Sequence, residues 1–282
     1  MAVTPAAPLL TPTSPPWPWP TAWPHPTTGV LTDIDDTLTR DGAIEPVALD
    51  ALHRLRAAGV PVIAITGRPS GWSEAFALSW PVNEIVAENG SLRLFENNGL
   101  LRKQYFQNEP TRSHHHARLQ AVLHTIEAQI PGAVRAQDSL GRETDIAIDH
   151  SEFTHLPPQR IADVVRLMEA GGLTATVSSI HINGWIGDHN KWTGAQWAVR
   201  KCLGTDLTQT LESWVYVGDS TNDQLMFQHL PVSVGVANIR RFQAELTQWP
   251  RYISPSERGQ GFAEVADAVL RQLAVSARAT LI

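Results

Sequence analysis

Short apolar runs bounded by turn residues recur along the chain, separated by stretches in which apolar positions return at helical spacing. The runs at 29–32, 60–66, 84–87, 214–217 and 232–236 read as strands buried in a sheet. Between the first two, Val47, Leu49, Leu52 and Leu55 mark a helix over 46–58, opened by Pro46 and closed by Gly59. Helices are also expected over 70–79, from Lys191 to Cys202, from Asn222 onward and over 262–273. This alternation predicts a doubly wound, Rossmann-like parallel sheet. Segments 91–95 and 100–106, joined through Asn97-Asn98-Gly99, predict a hairpin.

The middle of the chain has a different grammar. A helix over 114–129, a strand over 144–149 and a helix over 157–170 ended by Gly171-Gly172 are followed by alternation over 174–185. That last stretch fits a strand pair or one long strand. The expected organisation is a tail over 1–28, a core over 29–106 and 187–282, and an inserted α+β cap over 107–186.

Candidate chemistry falls at the ends of the apolar runs. Asp33 and Asp35 follow the first run, and a spacing of two in extended backbone points both carboxylates to one side. One can attack phosphorus while the other handles the proton of the leaving oxygen. A calcium loop starting at Asp33 would need Gly and Glu at its sixth and twelfth positions, which hold Leu38 and Ile44. The second run ends at Thr66-Gly67-Arg68, and the 214–217 run ends at Gly218-Asp219-Ser220-Thr221-Asn222-Asp223. Ligands of open parallel sheets bind outside the carboxyl ends of the strands, so these segments can share one site. Taken singly, each is equally well a strand end, a turn or a solvated helix residue.

Asp33-x-Asp35-x-Thr37, Thr66, Lys191 and Gly218-Asp219-x-x-Asn222-Asp223 together resemble the four motifs of the haloacid dehalogenase-like phosphohydrolases. The insert between the second and third motifs resembles the subgroup with a C2-type cap. That subgroup includes sugar-phosphate phosphatases acting on sucrose phosphate and mannosyl-3-phosphoglycerate. Glu88-Asn89-Gly90 and Gly261-Phe262-Ala263-Glu264-Val265 are similar to the pattern of the second of these. The resemblance implies Asp33 as nucleophile, Asp35 as acid and base, and Thr66, Gly67 and Lys191 on the phosphoryl oxygens. It also implies Mg²⁺ on the side chains of Asp33 and Asp219 and the carbonyl of Asp35, with Asp223 acting directly or through a water. Thr37 would brace the loop, Asn222 would orient its own, and the helix N-termini after Thr66 and Asp219 would add positive charge.

Arg68 can reach a second anionic group on the substrate or pair with a surface acid, and substrate contacts are also expected from the strand through Ser179–Trp185. There, period two sets Ile180 and Ile182 on one face and His181, Asn183 and Trp185 on the other. An ordinary half-exposed strand gives the same pattern. The lead expectation is a Mg²⁺-dependent phosphatase for a sugar phosphate or glycosyl phosphoglycerate. A phosphosugar mutase with the same aspartyl-phosphate, and a non-catalytic binding or regulatory protein, are the alternatives.

Composition narrows the picture further. With 282 residues, 43% hydrophobic, the chain can build a large core or two moderate ones. A formal net charge of −6 gives no general reason to bind nucleic acid or acidic membranes. The single cysteine, Cys202, excludes an intrachain disulfide and fits a reducing, cytoplasmic setting. No secretory signal or membrane span is expected, and the partner is a phosphorylated small molecule. The first 28 residues hold nine of the 20 prolines with Trp17, Trp19 and Trp23, which predicts a disordered, extended tail whose tryptophans can dock on the domain or bind a partner. The His114-His115-His116 run lacks metal-site spacing, since consecutive helical residues diverge. No Walker-type loop is present.

Overall fold

The structure is a computed structural model that describes residues 16–20, 23 and 26–280. Fourteen strands are described: β1 (Gly29–Thr32), β2 (Thr39–Arg40), β3 (Ala43–Ile44), β4 (Val62–Ile65), β5 (Glu84–Ala87), β6 (Leu92–Asn97), β7 (Leu100–Tyr105), β8 (Val134–Arg135), β9 (Asp145–Asp149), β10 (Thr174–Val177), β11 (His181–Trp185), β12 (Trp214–Gly218), β13 (Val232–Gly235) and β14 (Tyr252–Ile253). The α-helices are α1 (Pro46–Ala57), α2 (Ser70–Ser79), α3 (Glu109–Gln129), α4 (Pro158–Ala170), α5 (Lys191–Leu203), α6 (Gln224–His229) and α7 (Arg258–Thr280).

An eight-stranded sheet runs β14-β13-β12-β1-β4-β5-β6-β7, parallel from β14 to β5 and finished by the antiparallel β6-β7 hairpin. Its central strands carry almost no polar side chain because helices cover both faces. In β1, Val30 points into the core shared with α1 and α7, while Leu31 points into the one shared with α5 and α6. The topology is the expected α/β one. Sequence order reverses at β1, so the chain leaves β1 toward β4 on one side and returns through β12 on the other. The crevice between those crossovers is where ligands of such sheets bind.

A second sheet, β10-β11-β9-β8, is antiparallel and carries α3 and α4 on one face. Ile146, Ile148 and Ile182 pack under those helices with Leu119, Leu123, Val164 and Met168. The alternate residues Asp145, Ala147, His181 and Asn183 are also buried, against the first domain rather than in solvent. The stretch over 174–185 is therefore a strand pair, and the polar side of β11 is covered.

α5 reaches the crevice through a glycine contact. A Cβ on Gly194 would lie 2.6 Å from the Cα of Gly90, so only glycine lets the first turn of α5 approach the Glu88–Gly90 turn. Asn190 caps that helix in a reciprocal box with Thr193, which fixes Lys191 at its first position.

Two local expectations change. The helix foreseen from Asn222 is a 3₁₀ turn, Thr221–Asp223, followed by the six residues of α6. Part of the tail is ordered: Trp17 forms a parallel bridge with Tyr252, its N–H donating to the Arg251 carbonyl at 2.8 Å, and Trp23 is buried against Tyr252. Proline excludes helix, but it does not stop an extended segment from adding to a sheet edge and burying its indoles. Residues 1–15, 21–22 and 24–25 lie outside the described residues. Among the described residues no helix is long and apolar enough to cross a membrane.

Candidate active site

Asp33 leaves β1 buried, its N–H donating to the Val217 carbonyl at 2.8 Å. Asp219 leaves β12, the neighbouring strand, and is buried as well. One oxygen each of Asp33, Asp219 and Asp223 lies within 4.8 Å of the others. Lys191 reaches them from the start of α5, with its ammonium 2.9 Å from Asp33 and 2.7 Å from Asp223. It also donates to Asn222 Oδ1 at 3.2 Å. Residues far apart in sequence thus meet at two adjacent strand ends.

The Asp223 carboxylate is saturated. Its Oδ2 accepts the N–H groups of Asp219 and Ser220 at 2.9 and 3.1 Å, and its Oδ1 accepts from Lys191 and the Tyr216 hydroxyl. The N–H groups expected to add positive charge after Asp219 are therefore committed to Asp223. Asp219 Oδ2 takes hydrogen bonds from Asn238 and Arg241, but its Oδ1 is buried without a partner. A buried carboxylate oxygen left bare is costly. An all-oxygen set with one bare atom fits a hard divalent cation.

The electrostatics point the same way. Burial, opposed by Lys191 and reinforced by Asp223 and Asp35, pushes the Asp33 carboxyl up to about 7. Burial together with Asp33 and Asp223 holds Asp219 well above the usual carboxylate range. The cluster is short of positive charge.

Asp35 lies outside this trio and is bound by Arg68. Both its oxygens accept from Arg68 Nε at 3.0 Å. Asp36, at φ +53°, is pinned by Arg241 and Arg258, each at 2.7 Å, and those partners outweigh burial to lower its carboxyl. Thr66 is fully buried and its Oγ1 accepts the Arg68 N–H at 3.0 Å. The Gly67 carbonyl accepts from Arg142 at 2.9 Å and Asn183 at 3.3 Å. The Thr37 hydroxyl is buried with no hydrogen-bond partner, so no hydrogen bond from it braces the loop.

The second sheet closes over these residues through a charged seam that sequence reasoning did not find. Arg68, 5% exposed, also pairs with Asp138 at 3.3 Å and Glu152 at 2.7 Å. Arg142 binds Asp138, Asp145 and the Gly67 carbonyl. Asn183 and Asn89 both donate to Asp145 at 3.2 Å. His181 pairs with Glu152 at 2.9 Å. Glu88, at φ +46°, accepts the N–H groups of Ser70, Glu143 and Thr144. Arg68 and His181, expected on the substrate, spend their polar atoms on this seam, as does the amide nitrogen of Asn183. No strand-end position or motif spacing flagged Asp138, Arg142, Asp145 or Glu152.

The Glu152 loop is held by Asp149, whose two oxygens accept four successive N–H groups from Ser151 to Thr154. Burial alone would raise the Glu152 carboxyl, but His181 and Arg68 outweigh it and hold it at about 2. Its usual value is near 4.5, so its stabilisation is complete above that pH and is lost as pH falls toward 2. Glu152→Gln is expected to lower Tm at pH 6 and to flatten the fall of Tm between pH 5 and 3. Parallel acid limbs in thermal melts of the two proteins would show that the pair does not hold the seam.

The sequence pattern of haloacid dehalogenase-like hydrolases matches residues 30–132. No curated protein matches the chain. Among solved structures, a Thermoplasma acidophilum protein, 0175, is similar over 87% of this chain and 99% of its own, with TM-score 0.65 and 20% identity. The sucrose-phosphatase of Synechocystis sp. PCC6803, solved with sucrose and phosphate, is similar over 87% and 98%, with TM-score 0.60 and 16% identity. A HAD subclass IIB sugar phosphatase covers 81% and 93%, with TM-score 0.56 and 14% identity. At these identities the structural likeness speaks for the fold. Residues 30–132 thus carry the sequence pattern of the haloacid dehalogenase-like hydrolases, and the chain, with an α+β module inserted between the strand end at Thr66 and the helix at Lys191, shares the fold of these solved structures.

Proposed function

We propose that the protein is a Mg²⁺-dependent phosphatase that hydrolyses the phosphate monoester of a small sugar-like compound through an aspartyl-phosphate on Asp33. The observation that carries this reading is the convergence of Asp33, Asp219, Asp223 and Lys191, with one Asp219 oxygen left bare. The sugar phosphatases among the similar structures support the substrate class by analogy.

In the first step an Asp33 oxygen attacks phosphorus, the bond to the ester oxygen breaks, and Asp35 gives that oxygen a proton. In the second, Asp35 takes a proton from water as the water attacks phosphorus, which frees inorganic phosphate and restores Asp33. Lys191, the Thr66 hydroxyl and the Gly67 N–H hold the phosphoryl oxygens, and Asn222 steadies the Lys191 ammonium. A magnesium ion on Asp33, Asp219 and the Asp35 carbonyl, backed by Asp223, would supply the charge that lets a carboxylate approach a phosphate. Arg68 ties the acid, Asp35, to Glu152 of the cap, so closure and the position of the proton donor are linked. Through Glu152, His181 bears on the leaving-group side, and Asn183 braces Gly67.

Release of inorganic phosphate from a set of phosphate monoesters tests this. Turnover is expected with millimolar Mg²⁺, lost on adding EDTA and restored by excess Mg²⁺. Absence of phosphate release from every ester, activated aryl esters included, would rule the reading out.

A further inference from the structure

We infer that the leaving group is a neutral polyol no larger than one sugar ring, seated in the cavity beside Asp35; the inference rests on the phosphatase reading above. The cavity measures about 220 Å³ and is lined by Asp35 but by none of the acidic trio, so it lies on the proton-donor side of the site. Its volume is below the roughly 300–1,000 Å³ of pockets that take drug-sized ligands. A cavity of that size suits one ring with its hydroxyls better than two.

The walls resist enlargement. Arg68 bridges Asp35 of the core and Glu152 of the cap, and both line the cavity. Arg142 holds the Gly67 carbonyl, and Thr221 Oγ1 donates to the Val177 carbonyl at 2.6 Å, so the cap is fastened to the core on several sides. Seating both rings of a disaccharide inside the walls would strain these contacts.

Charge selects against a second anion. Three guanidiniums face the cavity, but each is already matched: Arg68 by Asp35 and Glu152, Arg241 by Asp36 and Asp219, and Arg258 by Asp36. With Asp41 the lining carries four carboxylates against three guanidiniums. A carboxylate or second phosphate on the leaving group would meet net negative charge with no unmatched cation to receive it, which disfavours binding. Neutral hydroxyls, by contrast, can donate to the carboxylates and accept from the guanidiniums. Ser151 and Ser179 add further hydroxyl partners, and Phe153, 62% exposed on the rim, offers a flat apolar face to the C–H side of a ring.

The test is a comparison of kcat/KM with Mg²⁺ for glucose 6-phosphate and glycerol 3-phosphate against 3-phosphoglycerate, fructose 1,6-bisphosphate and sucrose 6-phosphate, with p-nitrophenyl phosphate as activated ester. The neutral single-unit esters are expected to lead the charged and disaccharide esters by about tenfold or more. Phe153→Ala is expected to narrow the gap between glucose 6-phosphate and sucrose 6-phosphate by raising KM for the first. If p-nitrophenyl phosphate is hydrolysed but a disaccharide, carboxylate-bearing or bisphosphate ester ranks first, the cavity inference is overturned and the phosphatase reading stands. If no ester turns over, both fall.

Discussion

Asp33→Asn should lower phosphate release by about 10⁴-fold or more while leaving the fold intact or firmer. An amide of the same shape cannot form the acyl phosphate, and removing a nucleophile typically costs several orders of magnitude in kcat. The stability half of the expectation comes from the electrostatics of the site. Burial and neighbouring carboxylates push Asp33 up to about 7 despite Lys191. A carboxyl whose folded value is raised destabilises the protein progressively as pH climbs from its unfolded value through its folded one. Without a cation, the charged form is therefore a liability at pH 8, and the asparagine removes it. Thermal melts of the metal-free proteins at pH 8 should give the variant an equal or higher Tm. A variant that keeps more than a tenth of the activity would show that another group attacks phosphorus.

Lys191→Met carries the opposite signature. Lys191 is 3% exposed and is the ammonium that pairs with both Asp33 and Asp223. Methionine fills much the same space, so the loss is one of charge rather than of packing. Removing one partner of a buried ion pair leaves the other charge uncompensated, which typically costs about 3–5 kcal/mol. For a chain of this size that corresponds to a Tm lower by roughly 10 °C. Activity should fall too, through the lost charge on the phosphoryl oxygens. Denaturant titration measures the first effect, and a stability loss under about 1 kcal/mol would mean that the carboxylates simply protonate and need no ammonium. Together the two variants separate a residue that burdens the fold for the sake of chemistry from one that supports both.

The charged seam between core and cap explains why Arg68 was ambiguous in sequence. Its neighbours Thr66 and Gly67 sit at a recognisable strand end, but its partners Asp138 and Glu152 are 70 and 84 positions away in segments with no periodic signal. The same holds for His181 and Asn183. Period two correctly separated them from Ile182, yet the pattern of a half-exposed strand and that of a strand buried between two unlike surfaces are the same string. Only the cap's docking shows that the polar face meets Glu152, Asp145 and the Gly67 carbonyl. The tryptophans of the tail are a parallel case. Proline content forbids regular structure but says nothing about which apolar edge an extended segment covers.

What could be read from the residue order were features that repeat locally or sit at a fixed offset. The apolar runs and helical spacing gave the doubly wound sheet, because backbone geometry dictates those relations, and the resemblance of the carboxylates, threonine and lysine at element ends to a family's motifs pointed to the candidate reacting groups. The three-dimensional arrangement was needed for what depends on distance between remote segments. It saturates Asp223, leaves one Asp219 oxygen bare, ties Asp35 to Glu152 through Arg68 and sets the size and charge balance of the cavity beside Asp35. Coulombic and desolvation energies act through space, so they are settled by which surfaces come together and not by their order along the chain.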